Sequence, residues 1–169
     1  PASGRVSAIN RGARRVFQSL VIEVDDGVEA RKWSGSSATD AAQLSADDIK
    51  DRLIDSGEWT AIRVRPFNNV ADPASSPSGL FITAIDTRPH AVNPEIVIAE
   101  QGEAFELGQA LLANMVDCTV YVCVAPGSSA PVSSHAQVQS AAFDGPHPAG
   151  LAGKHVHFLQ GASLNKLAW

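Results

Sequence analysis

Two apolar stretches with a helical pattern between them constrain the fold of this chain most. The stretches are LFITAID, residues 80–86, and CTVYVCV, residues 118–124. Neither alternates apolar with polar residues, as expected for strands that are buried on both faces. The segment between them has an apolar stripe at helical spacing near Glu103 to Met115. Strand, helix and strand at this spacing predict a βαβ unit, and therefore an α/β fold with a parallel, Rossmann-like sheet.

A second helix is predicted from its end signals. Ser45 has the character of an N-cap, and Asp48 three residues later completes a capping box. Gly57 is expected to close this helix. The following residues, EWTAIRVRPF, are predicted to run extended, and the late segment HVHFL is predicted to be a strand.

The chain divides on composition into a β arm and a larger α/β domain. Two short strands around an arginine-bearing turn are predicted within residues 1–34. Residues 35–42, GSSATDAA, have the small side chains of a linker. Residues 43–169 then form the α/β domain. The chain begins PASGRV without Met and ends SLNKLAW, so we expect a fragment.

Charge and hydropathy exclude some classes of function. The chain of 169 residues carries a net charge of -5, and its larger part is acidic, which argues against binding to nucleic acid. No apolar run approaches the roughly 20 residues that span a bilayer, so no transmembrane segment is expected. Cys118 and Cys123 are five residues apart on a predicted strand, so they should face opposite sides and remain unpaired.

The segment FDGPHPAGLAGKHVHFL, residues 143–159, holds most of the candidate site residues. It is not a phosphate-binding P-loop, since Pro148 stands where the motif needs glycine and His155 where it needs Ser or Thr. The turn after the first buried strand, TRPHAVNP, also lacks the glycines of a dinucleotide site.

A metal site and a contact surface both remain open for this segment. On a strand, His155 and His157 would share a face and could bind a metal with Asp144 or His147, but no cluster of Cys or Glu completes the set. Alternatively, His147, Lys154, His155 and His157 offer hydrogen-bond donors that could meet a carboxylate of a partner or a lipid headgroup. A turn that only delivers a strand is the third interpretation.

Three segments together resemble the A subunit of the sodium-translocating NADH:quinone oxidoreductase of bacterial membranes. They are SGEWTAIRVRPF, FITAIDTRPHAVNPEIVI and GPHPAGLAGKHVHFL, and the N-terminal residues fit as well. The resemblance implies a peripheral subunit on the cytoplasmic face of the bacterial inner membrane. It implies docking on a membrane-embedded subunit of a complex that passes electrons from NADH to ubiquinone and pumps sodium, with a link to ubiquinone binding. It also implies that residues 1–34 end a barrel-sandwich domain of the biotin-carrier type and that the chain stops before a further C-terminal domain. With ubiquinone implied, a quinone carbonyl becomes a candidate acceptor for His147, Lys154, His155 and His157.

One departure from the family's relatives bears on cofactors. The flavoprotein subunit of respiratory complex I, whose fold is similar, cradles flavin phosphate in a glycine-rich loop, where this chain has Trp59, Ile62 and Arg63. Bulky side chains should block the backbone from a phosphate, so no flavin or NADH site is expected here. No metal site is expected either, because no cluster of Cys or Glu completes the histidine set. Two alternatives stay open. One is an oxidoreductase module that binds flavin or NADH in the Rossmann-like crevice, and the other is a metal-binding module built on the predicted histidine strand. The chain alone is not expected to be catalytic.

Overall fold

The computed structural model describes residues 3–27, 38–41 and 43–169. The chain divides into two compact units, Pro1–Gly35 and Ser36–Trp169. Of the predicted linker, residues 35–37 and 42 lie outside the described part, and the intervening Ala38–Ala41 form the short helix α1.

The first unit is an antiparallel hairpin. Strand β1, Gly4–Arg11, pairs with β2, Phe17–Val24, and a 3-10 turn, Ala13–Arg15, joins them. Arg14 and Arg15 in that turn have φ of 55° and 62°. The prediction of two strands around an arginine-bearing turn is thus confirmed.

The second unit is built on a three-stranded parallel sheet. The elements of this unit that follow α1 are, in chain order, α2 (Ala46–Ser56), β3 (Arg63–Val64), β4 (Asn69–Val70), β5 (Leu80–Thr83), α3 (Pro94–Glu100), α4 (Gly102–Met115), β6 (Val120–Val124), β7 (Val138–Ala142) and α5 (Ala152–Leu159). The strand order in the parallel sheet is β5–β6–β7. The predicted α/β fold, with its βαβ unit of β5, α4 and β6, is confirmed. Helix α3 and strand β7 were not predicted.

The connection from β6 to β7 contains no helix and is held by a buried glutamine. Gln109 on α4 is 1% exposed. Its Nε2 donates to Pro131 O at 2.9 Å, and its Oε1 accepts from Ser133 N–H at 2.9 Å. The amide therefore fixes the loop over α4 and satisfies its backbone groups.

The last residues of the chain extend the sheet. Ala168 bridges antiparallel to Arg65 and parallel to Gly79. Phe81 N–H donates to Trp169 O at 2.7 Å, and Trp169 N–H donates to Gly79 O at 3.0 Å. The main core packs Trp169 with Trp59 among the buried residues around β5, β6 and α4.

Helix α2 begins and ends as predicted. Asp48 N–H donates to Ser45 Oγ at 3.2 Å, and Ser45 N–H donates to Asp48 Oδ2 at 3.3 Å, so the capping box is complete. The serine bonds also lower the pKa of Asp48. Gly57 closes the helix with φ of 84°.

Two local predictions are wrong. Glu58–Ala61 form a 3-10 helix, so EWTAIRVRPF is not extended throughout. HVHFL lies in helix α5 and not in a strand. Ala152, Val156 and Leu159 are at least partly buried and have the i, i+4, i+7 spacing of one helical face, and this longer pattern prevails over the local alternation of HVH.

Candidate functional site

The loop before α5 is held against the exit of β5 by a close backbone approach. Gly150 N–H donates to Thr87 Oγ1 at 2.9 Å. A Cβ at Gly150 would lie 2.7 Å from Thr87 N, so a side chain there would push the two segments apart. His147 from the same loop is exposed, and its Nδ1 lies 3.4 Å from Thr87 Oγ1. The start of α5 is therefore fixed relative to the sheet.

His155 anchors α5 from inside. The side chain is 0% exposed, and its ring centroid lies 4.2 Å from that of Phe143. Its Nε2 lies 3.0 Å from Ala149 O, which can only accept, so Nε2 carries the proton of the neutral ring. Nδ1 has no hydrogen-bond partner. Burial lowers the pKa of His155, and the bond to Ala149 offsets part of that effect.

The two histidines that were expected to share a face are separated by the helix. His155 points into the core, whereas His157 and Lys154 are exposed. The strand on which the metal interpretation depended is absent. Among the residues that the structure describes, no three His, Cys, Asp or Glu side chains lie close enough to hold a metal ion.

An apolar cavity of about 430 Å³ lies beside α5. Residues of β3, β5, α4 and α5 line it, together with Trp169. Arg65 is among its few polar residues, and both the Nε of Arg65 and the Nε1 of Trp169 are buried without a hydrogen-bond partner. A buried N–H without an acceptor is costly, so an acceptor on a ligand would be favoured near these groups.

Two further concavities with basic linings adjoin the same residues. One has a volume of about 480 Å³ and is lined by Arg65, Lys154 and His157 among others. The other has about 280 Å³ and again includes Arg65 and His157, with Val156 shared with the apolar cavity. We call the three concavities together the Arg65 site.

The carboxyl edge of the parallel sheet has the opposite charge character. A polar pocket of about 300 Å³ there is lined by Asp86 and Glu95. Hydrogen bonds from Arg88 lower the pKa of Asp86 to about 2. Open parallel sheets usually bind nucleotides at this edge, but Asp86 is ion-paired with Arg88, and no described basic residue lines the pocket to bind a phosphate.

Two indole rings pack together at the 3-10 helix Glu58–Ala61. Trp59 is 5% exposed, and its Nε1 donates to Ala71 O at 2.7 Å. Its ring meets that of Trp169 edge to face, with centroids 5.5 Å apart. We call Trp59 with these two contacts the tryptophan corner; Trp169 itself also lines the apolar cavity, and its Nε1 has no partner.

Comparison with known proteins decides the family. Residues 44–169 match the model of the NqrA second alpha/beta domain. The chain belongs to the NqrA family. Residues 1–25 match the NqrA N-terminal barrel-sandwich hybrid domain as well. The resemblance recognised in the sequence is therefore confirmed, and so is the barrel-sandwich character of the β arm.

Individual relatives in the NqrA family share one name, the A subunit of the Na(+)-translocating NADH-quinone reductase. The chain is 49% identical over 169 residues to the relative from Pseudomonas aeruginosa. It is 48% identical to the relative from Saccharophagus degradans and 46% identical to that from Yersinia pestis. All of this chain is aligned in each case, but it spans only 37% or 38% of the relatives' length. None of the helices that the structure describes has the length and hydropathy to cross a bilayer.

Sequence reasoning found part of the Arg65 site in this NqrA chain. It singled out Lys154, which lines the larger basic concavity, His157, which lines both, and His147, which contacts Thr87 nearby. It missed Arg65 as a site residue, although a charged residue directly before Pro66 in an apolar segment was a usable signal. No signal in the sequence could have placed Trp169 in the cavity, because its position depends on pairing between distant segments.

Proposed function

We propose that this chain is a docking part of the NqrA subunit of a sodium-pumping NADH:ubiquinone oxidoreductase. In this proposal it lies on the cytoplasmic face of the bacterial inner membrane and meets a membrane-embedded subunit. It has no flavin or NADH site of its own and is not catalytic alone. We further infer that residues 1–34 end the barrel-sandwich domain, residues 35–42 link the domains, and residues 43–169 carry the docking surface.

One observation carries the docking role: a firmly held helix presents basic side chains, without ion pairs among the described residues, beside an apolar cavity. Gly150 and His155 fix α5 from two sides. Lys154 and His157 then project from its exposed side next to Arg65. A surface that is already ordered loses little entropy when a partner binds, which favours docking.

Two features support the absence of a nucleotide site. The Trp59 indole fills the space where a glycine-rich loop would have to approach a phosphate, and its N–H is already bonded to Ala71 O. The pocket at the carboxyl edge of the sheet, where a pyrophosphate would otherwise bind, has Glu95 and no basic residue in its described lining.

The same geometry supports contact with ubiquinone. A quinone ring is flat and apolar and carries carbonyl acceptors, which suits an apolar cavity with unpartnered N–H groups on Arg65 and Trp169. We propose His147, Lys154 and His157 as the exposed contacts to quinone or partner. Since His155 is buried, we assign it a positioning role in that set.

The test is a double variant, Lys154→Gln with His157→Gln, in the full-length subunit. Both side chains are exposed, so we expect the subunit to fold normally while its assembly into the complex, or quinone reduction by the complex, decreases. Lys50→Gln on α2 removes a charge away from the Arg65 site and serves as the matched control. Normal assembly and turnover in the double variant would contradict the proposal.

A further inference from the structure

Arg65 is the residue that joins an apolar space to a basic one. It lines the cavity of about 430 Å³ and both basic concavities. Val156 on α5 lines the apolar cavity and the smaller basic concavity. A ligand could therefore place an apolar portion on one side of Arg65 and a charged portion on the other.

The charge at this junction is not compensated within the part of the chain that the structure describes. No acidic residue there lines any of the three concavities. Arg65, Lys154 and His157 form no ion pair with a described residue. Arg65 is also partly buried, and its Nε has no hydrogen-bond partner. Removing part of a guanidinium from water without an anion costs free energy, so the site favours an anionic ligand.

Exposed apolar side chains border the same residues. Phe158 follows His157 and is 70% exposed, and Phe67 follows Pro66, which lines the smaller basic concavity. Leu151 lines the larger basic concavity and is also exposed. Aromatic and aliphatic groups interleaved with cations are the composition of surfaces that meet the interfacial region of a lipid bilayer.

We propose that the Arg65 site binds an amphipathic phosphate, with anionic phospholipid as the partner. The phosphate lies against Arg65, Lys154 and His157, and an acyl chain enters the apolar cavity. This inference rests on the proposed docking function and names one partner of the docking surface. A neutral quinone would fill the cavity but would leave the charges of Arg65 and Lys154 uncompensated, whereas a phospholipid satisfies both parts of the site.

The first test is cosedimentation of the full-length subunit with lipid vesicles. We expect binding to vesicles of phosphatidylcholine mixed with phosphatidylglycerol, and much weaker binding to phosphatidylcholine alone. Arg65→Gln and Lys154→Gln should each weaken binding about fivefold, the usual contribution of one basic residue near an anionic surface. Lys50→Gln should bind as the wild type does. Because Lys154 is exposed, its variant remains informative even if Arg65→Gln unfolds.

A second measurement separates a lipid from a free phosphate. Calorimetric titration with soluble short-chain phosphatidylglycerol should give saturable binding, and glycerol phosphate or inorganic phosphate should bind far more weakly. Ala152 lines the apolar cavity, and Ala152→Leu should narrow it. The variant should therefore bind the lipid more weakly and leave the weak binding of phosphate unchanged. Equal affinity for glycerol phosphate and the lipid would overturn the acyl-chain part of the proposal.

The outcomes also separate this inference from the docking function on which it rests. Equal binding to both kinds of vesicle, or unchanged binding by Arg65→Gln and Lys154→Gln, would overturn the lipid proposal. If those variants still lowered assembly of the complex, docking would stand with an acidic protein surface as the partner. Selective lipid binding together with normal assembly of the variants would instead contradict docking and retain the lipid site.

Discussion

Trp59 of the tryptophan corner and Arg65 of the Arg65 site lie only a few residues apart along the chain, yet they differ in packing and in hydrogen bonding. The indole N–H of Trp59 is satisfied by Ala71 O, and its ring is packed against Trp169. The Nε of Arg65 is buried without a partner beside an open cavity. The Trp59 ring is therefore closely packed and its N–H is bonded. Arg65, in contrast, lies beside open space and has an N–H without an acceptor. The tryptophan corner therefore stabilises the fold, whereas the Arg65 site is suited to binding a ligand or partner.

The largest expected effect on stability comes from removing the Trp59 ring from the tryptophan corner. Trp59→Ala should lower the free energy of unfolding by about 3–5 kcal/mol, because it removes a large buried ring and leaves Ala71 O without its donor. Denaturant unfolding of the full-length subunit measures this. Trp59→Phe, which keeps a ring, should lose clearly less. An effect below about 1 kcal/mol would show that the corner does not carry the fold.

The next effect concerns the buried side of α5. His155→Ala should lower the free energy of unfolding by about 2–3 kcal/mol. This is at the low end for a buried side chain, because Nδ1 has no hydrogen-bond partner to lose.

The wild type should also lose stability in acid. Burial lowers the folded pKa of His155 below 6.5, so the unfolded chain binds more protons as the pH falls from 6.5 toward the folded pKa.

The control for that pH effect lies on the same helix. His157→Gln removes an exposed imidazole and should leave the acid-induced loss unchanged, whereas His155→Ala should remove the share due to His155. Unfolding measured at several pH values between neutrality and mild acid compares the two. An equal change in both variants would mean that the buried histidine does not set the pH response.

A smaller effect comes from the helix that leads into Trp59. Ser45→Ala removes the acceptor for Asp48 N–H and should cost about 1 kcal/mol in the free energy of unfolding. Ser45→Asn, which retains a capping oxygen, should recover most of that loss. An alanine variant as stable as the wild type would show that α2 does not limit the stability of the corner.

The smallest effect is expected at the Arg65 site. Lys154→Gln should change the free energy of unfolding by less than about 0.5 kcal/mol, because the side chain is exposed and forms no ion pair with a described residue. Denaturant unfolding of the variant beside the wild type measures this. A larger loss would place Lys154 in the support of the fold and weaken its assignment to binding.

Local signals predicted most of the elements correctly. The capping box at Ser45, the glycine at the end of α2 and the apolar strands around α4 each act over a few residues, so they could be read without the tertiary structure. The signal for α3 was also local, with Asn93 as N-cap and Pro94 in the first turn, but it was overlooked. Strand β7 has the weakly apolar sequence VQSAA and forms because β6 offers it a parallel edge.

The site was less predictable because distant segments build it. Arg65 and Ala168 must pair before Trp169 can line the apolar cavity, and that pairing is a property of the folded sheet. The local pattern of HVHFL favoured a strand, while the longer spacing of Ala152, Val156 and Leu159 places these residues on the inner face of a helix. Lys154 and His157 were therefore named as candidates on the wrong geometry.

A single calorimetric comparison tests the contrast between the two regions most directly. The full-length subunit is titrated with FMN and with short-chain phosphatidylglycerol in the same buffer. A filled tryptophan corner and an open Arg65 site predict saturable heat for the lipid and none for FMN at millimolar concentration. Saturable FMN binding in the micromolar range, without lipid binding, would contradict both assignments.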